Sequence, residues 1–221
     1  MKKETYRLLE NYMLSCCADS SHDKEHIYRV LDNGVRIGRE EGNVDWDVLI
    51  AACLLHDVGR PEQFGDPTLC HAQVGSEKAY RFLREQGFSE EFAERVRHCV
   101  LTHRFRKARP PQTPEAKILF DADKLDVTGA IGVARTLQYK GNMAEPLYRR
   151  NPDGSVDDGT GEGGDSFFRE YKFKLEKLYD RFYTASGARM ARERKRIAED
   201  FYLSLLAEVS GSAQLEDVLE D

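Results

Sequence analysis

The chain is organised around one apolar run that ends in two polar residues, Val48-Leu49-Ile50-Ala51-Ala52-Cys53-Leu54-Leu55-His56-Asp57. An unbroken apolar run has no polar face, which is typical of a helix buried in a core. Gly59 and Pro61 are expected to end this helix. An imidazole and a carboxylate at the end of a buried helix are costly unless something binds them, and a divalent metal ion is a common solution. The pair can equally be a hydrogen-bonded histidine in a core, so it decides nothing alone.

The composition is that of an ordinary globular protein. The 221 residues are 40% hydrophobic and 33% charged, and we expect them to form a single domain, 1–221. The net charge of -6 argues against general binding of nucleic acids or anionic membranes. Any basic surface must therefore be local.

The sequence predicts a cytoplasmic protein. Its first residues include no apolar segment of the kind found in signal peptides, and no apolar run is long enough to span a bilayer. The five cysteines form no CxxC motif and their odd number cannot pair completely, which favours reduced thiols.

The apolar residues recur at helical spacing along nearly the whole chain, so the predicted fold class is all-α. Asp45, Ser89 and Thr113 are expected to cap three of the helices. Residues 62–69 are expected to form a loop. The predicted helices cover about 3–18, 23–41, 46–57, 71–86, 90–102, 114–126 and 131–139.

The last third of the chain changes character. The glycine-rich stretch at about 141–165 predicts a flexible loop without regular structure. Two amphipathic helices, at about 166–184 and 187–209, are expected to close the chain. Their aromatic residues fit core packing better than a platform for stacking bases; these are Phe167, Phe168, Tyr171, Phe173, Phe182 and Tyr183.

The histidines are concentrated in one part of the chain. All six precede residue 104, and the acidic residues Asp121 and Asp123 lie in a helix that is otherwise apolar. Inward-pointing carboxylates need a partner. Taken together, His26, His56, Asp57 and Asp123 would offer two imidazoles and two carboxylates, a set that suits Mn²⁺, Fe²⁺, Co²⁺, Ni²⁺ or Mg²⁺ better than a thiolate zinc site.

The order of these residues resembles the HD superfamily of metal-dependent phosphohydrolases. The resemblance lies in His26 within His-Ile-Tyr-Arg-Val, in Leu-Leu-His-Asp-Val-Gly-Arg, and in Asp-Ala-Asp-Lys-Leu-Asp around Asp123. The stretch from Asp121 to Arg135 is similar to small stand-alone HD proteins that include nucleoside triphosphate pyrophosphatases. The resemblance covers most of the chain and implies a single helical HD-type domain.

The resemblance implies a divalent metal cofactor. Its ligands would be His26, His56, Asp57 and Asp123. Some HD branches hold a second ion with two further histidines, and His71 and His98 occupy the corresponding interval, so one ion or two can be expected. The alternative for His98 is an ordinary helix histidine held by a hydrogen bond.

Several further residues are candidates for the chemistry. Asp57 would orient the attacking water, and Asp126 would carry a proton or, alternatively, cap the next helix. His103 is expected to contact phosphate, its alternative being an exposed loop histidine. The basic residues expected to bind the substrate are Arg60, Arg106 and Lys124.

The resulting hypothesis is hydrolysis of a phosphate ester or anhydride of a small molecule, a nucleotide above all, by a pyrophosphatase or nucleotidase. One alternative is a phosphodiesterase that acts on a cyclic or oligomeric nucleotide. Another is a sensor that binds a nucleotide without turnover. An apolar helix face can also bury itself against a second copy of the chain, so a homo-oligomer is a further expectation.

Overall fold

The structure, a computed structural model, describes residues 1–17, 24–104 and 109–211. Within these ranges helices account for nearly all regular structure, which confirms the predicted all-α class. The helices are α1 (Lys3–Cys17), α2 (Lys24–Glu41), α3 (Trp46–Leu55), α4 (Arg60–Gly65), α5 (His71–Glu85), α6 (Glu90–Thr102), α7 (Pro114–Leu125), α8 (Gly129–Asn142), α9 (Phe167–Phe173) and α10 (Ala185–Val209). A two-stranded antiparallel pair is formed by β1 (Arg149–Arg150) and β2 (Val156–Asp157).

The chain divides into two compact units. The first contains residues 1–126 and 182–190, and the second contains residues 127–181 and those from 191 onward. The expected boundary of one domain over 1–221 remains a prediction. None of the helices in the described ranges is long and apolar enough to cross a membrane.

Helix α3 is the centre of the first unit. The side chain of Asp45 accepts hydrogen bonds from the backbone N–H groups of Asp47 (3.1 Å) and Val48 (3.3 Å), so the predicted N-cap is confirmed. From Ala51 to Leu55 every side chain is fully buried, because α1, α2, α6 and α7 surround the helix. The caps predicted at Ser89 and Thr113 are also present.

The chain after α3 differs from the predicted loop. Residues 60–65 form α4, and Pro61 fits its first turn, where a missing N–H costs nothing. Gly59 precedes this helix. A Cβ atom at Gly59 would lie 2.3 Å from the carbonyl oxygen of His71, so the missing side chain lets α5 approach closely. This contact brings the beginning of α5 next to the end of α3.

The second unit has its own core. Aromatic side chains dominate it, and the rings of Tyr171 and Tyr202 stack with centroids 4.2 Å apart. The buried residues of this core are Val133, Phe167, Phe168, Tyr171, Leu175, Ala198 and Tyr202.

Two predicted features of the second unit are corrected by the structure. The glycine-rich stretch contains the β1–β2 pair, and Asp157 accepts hydrogen bonds from the N–H groups of Gly159 (2.8 Å) and Gly161 (3.3 Å), so one carboxylate organises part of the loop. The first closing helix ends at Phe173 rather than near residue 184. Lys174 leaves the helical region (φ -126°, ψ -61°), and a 3₁₀ turn at Leu175–Lys177 then buries Leu175 in the core.

Candidate metal centre

Six side chains near the ends of five helices meet in the first unit. Each lies near a helix end: His26 near the start of α2, His56 and Asp57 after α3, His71 at the start of α5, His103 after α6, and Asp123 in the last turn of α7. They form two donor groups, in each of which one atom per residue lies within 4.8 Å of the others. The first group is His26, His56 and Asp123, and the second group is Asp57, His71 and His103.

The first donor group is tightly spaced. The Nε2 atom of His26 lies 3.3 Å from Nε2 of His56 and 3.3 Å from Oδ1 of Asp123. Two ligands bonded to one ion at about 2.1 Å stand roughly 3.0 to 3.4 Å apart at coordination angles near 90° to 110°. The spacing therefore fits a shared ion.

Asp57, a member of the second donor group, also faces the first group. Its Oδ2 faces Nε2 of His26 (3.6 Å) and of His56 (3.7 Å), whereas its Oδ1 faces Nε2 of His71 (3.5 Å) and of His103 (3.7 Å). One carboxylate thus presents a separate oxygen to each group. This is the arrangement that a carboxylate needs in order to bridge two ions.

All four imidazoles are oriented in the same way. In each ring Nδ1 is in hydrogen-bond contact with an oxygen, so Nε2 is the atom that points into the site. The oxygen partners are Oδ2 of Asp126 for His26 (2.7 Å), the Cys53 carbonyl for His56 (2.8 Å), Oε1 of Gln63 for His71 (2.7 Å) and the Val100 carbonyl for His103 (2.6 Å). Such partners fix the tautomer that leaves Nε2 free to bind a metal.

His71 provides a further test of fit. Its Nε2 is buried and has no hydrogen-bond partner within the described part of the chain. An unpaired nitrogen of this kind costs free energy in a protein interior unless a ligand satisfies it. The donor chemistry, four imidazole nitrogens with two carboxylates, therefore fits a divalent cation.

The pKa values follow from this crowding. Burial opposes the charged form of His26, but hydrogen bonds to Asp123 and Asp126 outweigh it and raise the pKa of His26 to about 9. Burial, helped by nearby cationic groups, lowers the pKa of His71 to about 3. Burial and the neighbouring His56 lower the pKa of His103 to about 4.

The pKa values of both carboxylates in the centre are lowered. Burial alone would raise the pKa of Asp57, but His56, Arg60 and His103 hold it well below the usual value. Burial is likewise outweighed at Asp123, where the hydrogen bond and charge of His26 lower the pKa. Both carboxylates are therefore ionised and ready to act as ligands at neutral pH.

Asp126 contacts Nδ1 of His26, the ring nitrogen that does not face the other donors. It receives Nε of Arg29 at 2.7 Å and Nη2 of Arg29 at 3.1 Å, in addition to the 2.7 Å contact with His26. Its side chain is only 1% exposed. Asp126, predicted to carry a proton, is thus placed to orient the His26 ring. The N-cap of α8 is Thr128 and not Asp126.

The predicted substrate residues lie at different places. Nε of Arg60 donates to Oδ1 of Asp57 (3.0 Å). The ammonium of Lys124 sits over the rings of Phe120 (4.8 Å) and Phe182 (5.9 Å), not among the donor groups. Arg106 lies outside the described residues.

The structure places His98 and His103 differently from the expectation. His98 belongs to neither donor group, and its Nε2 faces the backbone N–H of Gln112 at 3.4 Å. His103 is 2% exposed and lies in the second donor group. The two residues are five apart, so turning one toward the centre leaves the other on another side of the helix.

Two supporting residues, Gln63 and Arg29, had no signal in the sequence. Gln63 contacts the proposed ligand His71, and Arg29 contacts Asp126, the partner of His26. Only the folded chain brings these residues together.

Asp121 is expected to need a partner if it points inward. It is fully buried, and its partners are other residues of the chain. Its carboxylate accepts hydrogen bonds from the N–H groups of Tyr183 (2.9 Å) and Thr184 (2.7 Å) and from the Thr184 hydroxyl (2.6 Å).

Known proteins share this sequence pattern and fold. The protein-family model for the HD domain matches residues 24–128, the range that holds both donor groups. The uncharacterized protein YpgQ of Bacillus subtilis (strain 168) is 29% identical over 201 residues, which cover 87% of this chain and 86% of YpgQ.

Two solved structures have a similar fold over nearly the whole chain. The crystal structure of Bacillus subtilis YpgQ in complex with ADP is similar with a TM-score of 0.72 and 27% identity, over 94% of this chain and 96% of the other. The crystal structure of an HD-superfamily hydrolase from Bacillus thuringiensis is similar with a TM-score of 0.73 and 27% identity, over 96% of this chain and all of the other.

Proposed function

We propose that this chain, a member of the HD superfamily, is a metal-dependent phosphohydrolase that acts on a nucleotide. The observation that carries the proposal is the convergence of four oriented Nε2 atoms on two ionised carboxylates. A set of buried histidines with a purely structural role would not leave the Nε2 atom of His71 without a hydrogen-bond partner in the described chain.

The ligand set supports one ion in each donor group. His26, His56 and Asp123 would hold the first, His71 and His103 the second, and Asp57 would contribute one oxygen to each. A bound divalent ion lowers the pKa of its water and polarises a phosphoryl oxygen, which is the chemistry that hydrolysis of a phosphoanhydride needs. His98 is not part of this proposal, because it lies in neither group.

The residues of the chain have separate tasks in this scheme. Asp126 and Gln63 orient His26 and His71, and so they set the geometry of the donor groups. Arg60 donates to Asp57 and lies at the edge of the centre, about one third exposed, where its charge can offset that of a phosphate. Lys124 would supply a second positive charge to a phosphate from its place over Phe120 and Phe182.

Two features support a nucleotide as substrate. YpgQ, which has a similar fold and sequence, has been crystallised with ADP. Asp123 is the most exposed of the six donors, with 28% of its side chain accessible, so a phosphate would approach the centre from this side, and Lys124 is the next residue of α7. Release of pyrophosphate from a nucleoside triphosphate and release of phosphate from a smaller nucleotide are the reactions that we propose.

The test begins with the metal content of protein purified without chelator, measured by mass spectrometry. Phosphate and pyrophosphate release is then measured over a panel of nucleotides with Mn²⁺, Mg²⁺, Fe²⁺, Co²⁺ and Ni²⁺. The His103→Ala variant is expected to lose metal and activity, whereas His98→Ala, the matched control, is expected to keep both within about twofold, since only His103 faces Asp57.

Each other outcome selects a different function. Hydrolysis of cyclic or oligomeric nucleotides with inert mononucleotides would make the protein a phosphodiesterase. Nucleotide binding without product under any metal would make it a sensor. An equal effect of the two histidine substitutions would contradict the assignment of the second donor group.

A further inference from the structure

The aromatic residues near the end of the chain fall into two classes. Phe167, Phe168 and Tyr171 are buried in the core of the second unit. Phe182 and Tyr183 belong to the first unit, and Tyr183 is 43% exposed. Packing in the core of the second unit therefore does not account for the position of the Tyr183 ring.

Tyr183 is held firmly although it is exposed. Its backbone N–H donates to both oxygens of Asp121, at 2.9 and 3.1 Å, and the next residue, Thr184, donates twice more to that carboxylate. The Tyr183 ring meets the ring of Phe120 edge to face, with centroids 4.8 Å apart at 87°. The ring is therefore fixed in advance, which lowers the entropy cost of binding a ligand.

This aromatic surface lies beside the candidate metal centre. Phe120 and Asp123 are three apart on α7, so they are neighbours on the helix surface, with Cβ atoms about 5 to 6 Å apart. The other five donors have side chains no more than 8% exposed, so Asp123 marks the accessible side of the centre. Because the ring of Tyr183 contacts Phe120, it lies on a neighbouring part of the α7 surface.

The chemistry of the surface matches one class of ligand. Lys124 places its ammonium over the rings of Phe120 and Phe182, so a positive charge and aromatic rings occur together. A purely apolar partner would bury this charge, which is costly. A nucleotide offers a flat base for the ring and phosphates for the cation and the centre.

We propose that Tyr183, whose ring rests against Phe120, stacks against the nucleobase of a nucleoside di- or triphosphate whose phosphates lie at the donor groups. This inference rests on the proposed function and deepens it, because it assigns the recognition of the base to residues outside the HD-domain match at 24–128. Stacking of a base on an aromatic side chain contributes about 1 to 3 kcal/mol, and about 1.4 kcal/mol is a tenfold change in affinity.

The test compares two probes that differ in the base. Dissociation constants of ADP and of pyrophosphate are measured by titration calorimetry on the full chain loaded with Mn²⁺. The wild type is expected to bind ADP at least about tenfold more tightly than pyrophosphate. Tyr183→Leu, which keeps an apolar cover on Phe120, is expected to weaken ADP binding about tenfold and to leave pyrophosphate within about twofold.

Two controls accompany the variant. Tyr183→Phe retains the ring and is expected to bind ADP like the wild type. Tyr139→Leu makes the same substitution at another exposed tyrosine, in the second unit, and is expected to change neither constant. Thermal unfolding checks that each variant is folded, and the comparison of the two probes on the wild type does not depend on any variant.

The outcomes separate this inference from the proposed function. Equal wild-type affinity for ADP and pyrophosphate, or equal weakening of both by Tyr183→Leu, overturns the stacking role while the phosphate site stands. Absence of binding of either probe overturns the phosphate site itself, and the stacking role with it.

Discussion

Two carboxylates on α7, two residues apart, have opposite uses. Asp121 accepts hydrogen bonds from Tyr183 and Thr184, so its oxygens are satisfied by the chain and hold residues 182–184 in place. Asp123 instead faces the Nε2 atom of His26, in a donor group whose other members are imidazole nitrogens. Both are acids in an apolar helix, and only the resemblance to the HD superfamily singles out Asp123 in the sequence.

The difference lies in what surrounds each carboxylate. The oxygens of Asp121 meet hydrogen-bond donors, which satisfy a buried acid without any ligand. Around Asp123 the neighbours are themselves acceptors or ligands, and such a cluster is stable only with protons or a cation. We therefore expect substitutions around Asp121 to change stability, and those around Asp123 to change metal binding.

The largest effect is expected at Asp57, which faces both donor groups. Asp57→Asn removes the charge shared by two groups and is expected to reduce kcat/KM by about 10³-fold, with loss of bound metal. Phosphate release and metal analysis measure the two effects. Asp32→Asn, at an exposed position of α2, is the matched control. Retained metal and activity in Asp57→Asn would contradict a bridging role.

Asp121→Ala tests the other side of the comparison. It leaves the N–H groups of Tyr183 and Thr184 without an acceptor and is expected to lower the free energy of unfolding by about 3 kcal/mol. Urea unfolding measures this loss, and calorimetry is expected to find metal affinity unchanged within about twofold. Asp121→Asn, which keeps one acceptor oxygen, should cost less. Loss of metal without loss of stability would reverse the assignment of the two carboxylates.

Asp126→Asn tests whether the carboxylate of Asp126 positions the His26 ring. The substitution keeps the size of the side chain but removes the charge that receives Nδ1 of His26, and it is expected to lower metal affinity by about 10- to 100-fold. It should also bring the pKa of His26 down toward its ordinary value, because Asp126 is one of the groups that raise it. Metal titration of the variant and the wild type at several pH values measures both effects. An unchanged affinity would mean that Asp126 does not position His26.

The smallest expected effect is a difference between the two donor groups in the number of protons that they release when metal binds. Because His26 has a pKa of about 9 in the metal-free protein, metal must displace its proton, and the affinity of the first group should rise up to about tenfold per pH unit below pH 9. His71 and His103, with pKa values lowered to about 3 and 4, are already neutral and should release none. Calorimetry in buffers of different ionisation enthalpy counts the protons.

The same pKa fixes the sign of a stability change. The pKa of His26 lies above its ordinary value of 6.5, so the metal-free protein has the full stabilisation below about pH 6.5 and loses it as the pH rises through about 9. Unfolding of chelated protein at pH 6 and pH 9 measures this loss. Greater stability at pH 9, with the protein otherwise unchanged, would show that His26 is not held in its charged form.

Much of the helical fold could be predicted from local sequence. The buried run before His56 and the caps at Asp45, Ser89 and Thr113 are found where the sequence places them, because both signals act within a few residues. The prediction failed at α4 and after Phe173. At α4, Pro61 stands in the first turn of a helix instead of ending one, and after Phe173 the chain leaves the helix and buries Leu175 in the core.

The candidate site divides in the same way. The order and spacing of His26, His56, Asp57 and Asp123 are enough to indicate a metal centre, because the chemistry requires these residue types. The sequence by itself determined most of the helices, the metal-binding residue types and the family resemblance. Only the tertiary structure decided that His103 rather than His98 faces Asp57, that Asp126 supports His26, and that Asp121 holds Tyr183. The physical reason is that each of these choices depends on contacts between helices far apart in sequence, and no local pattern encodes where those helices meet.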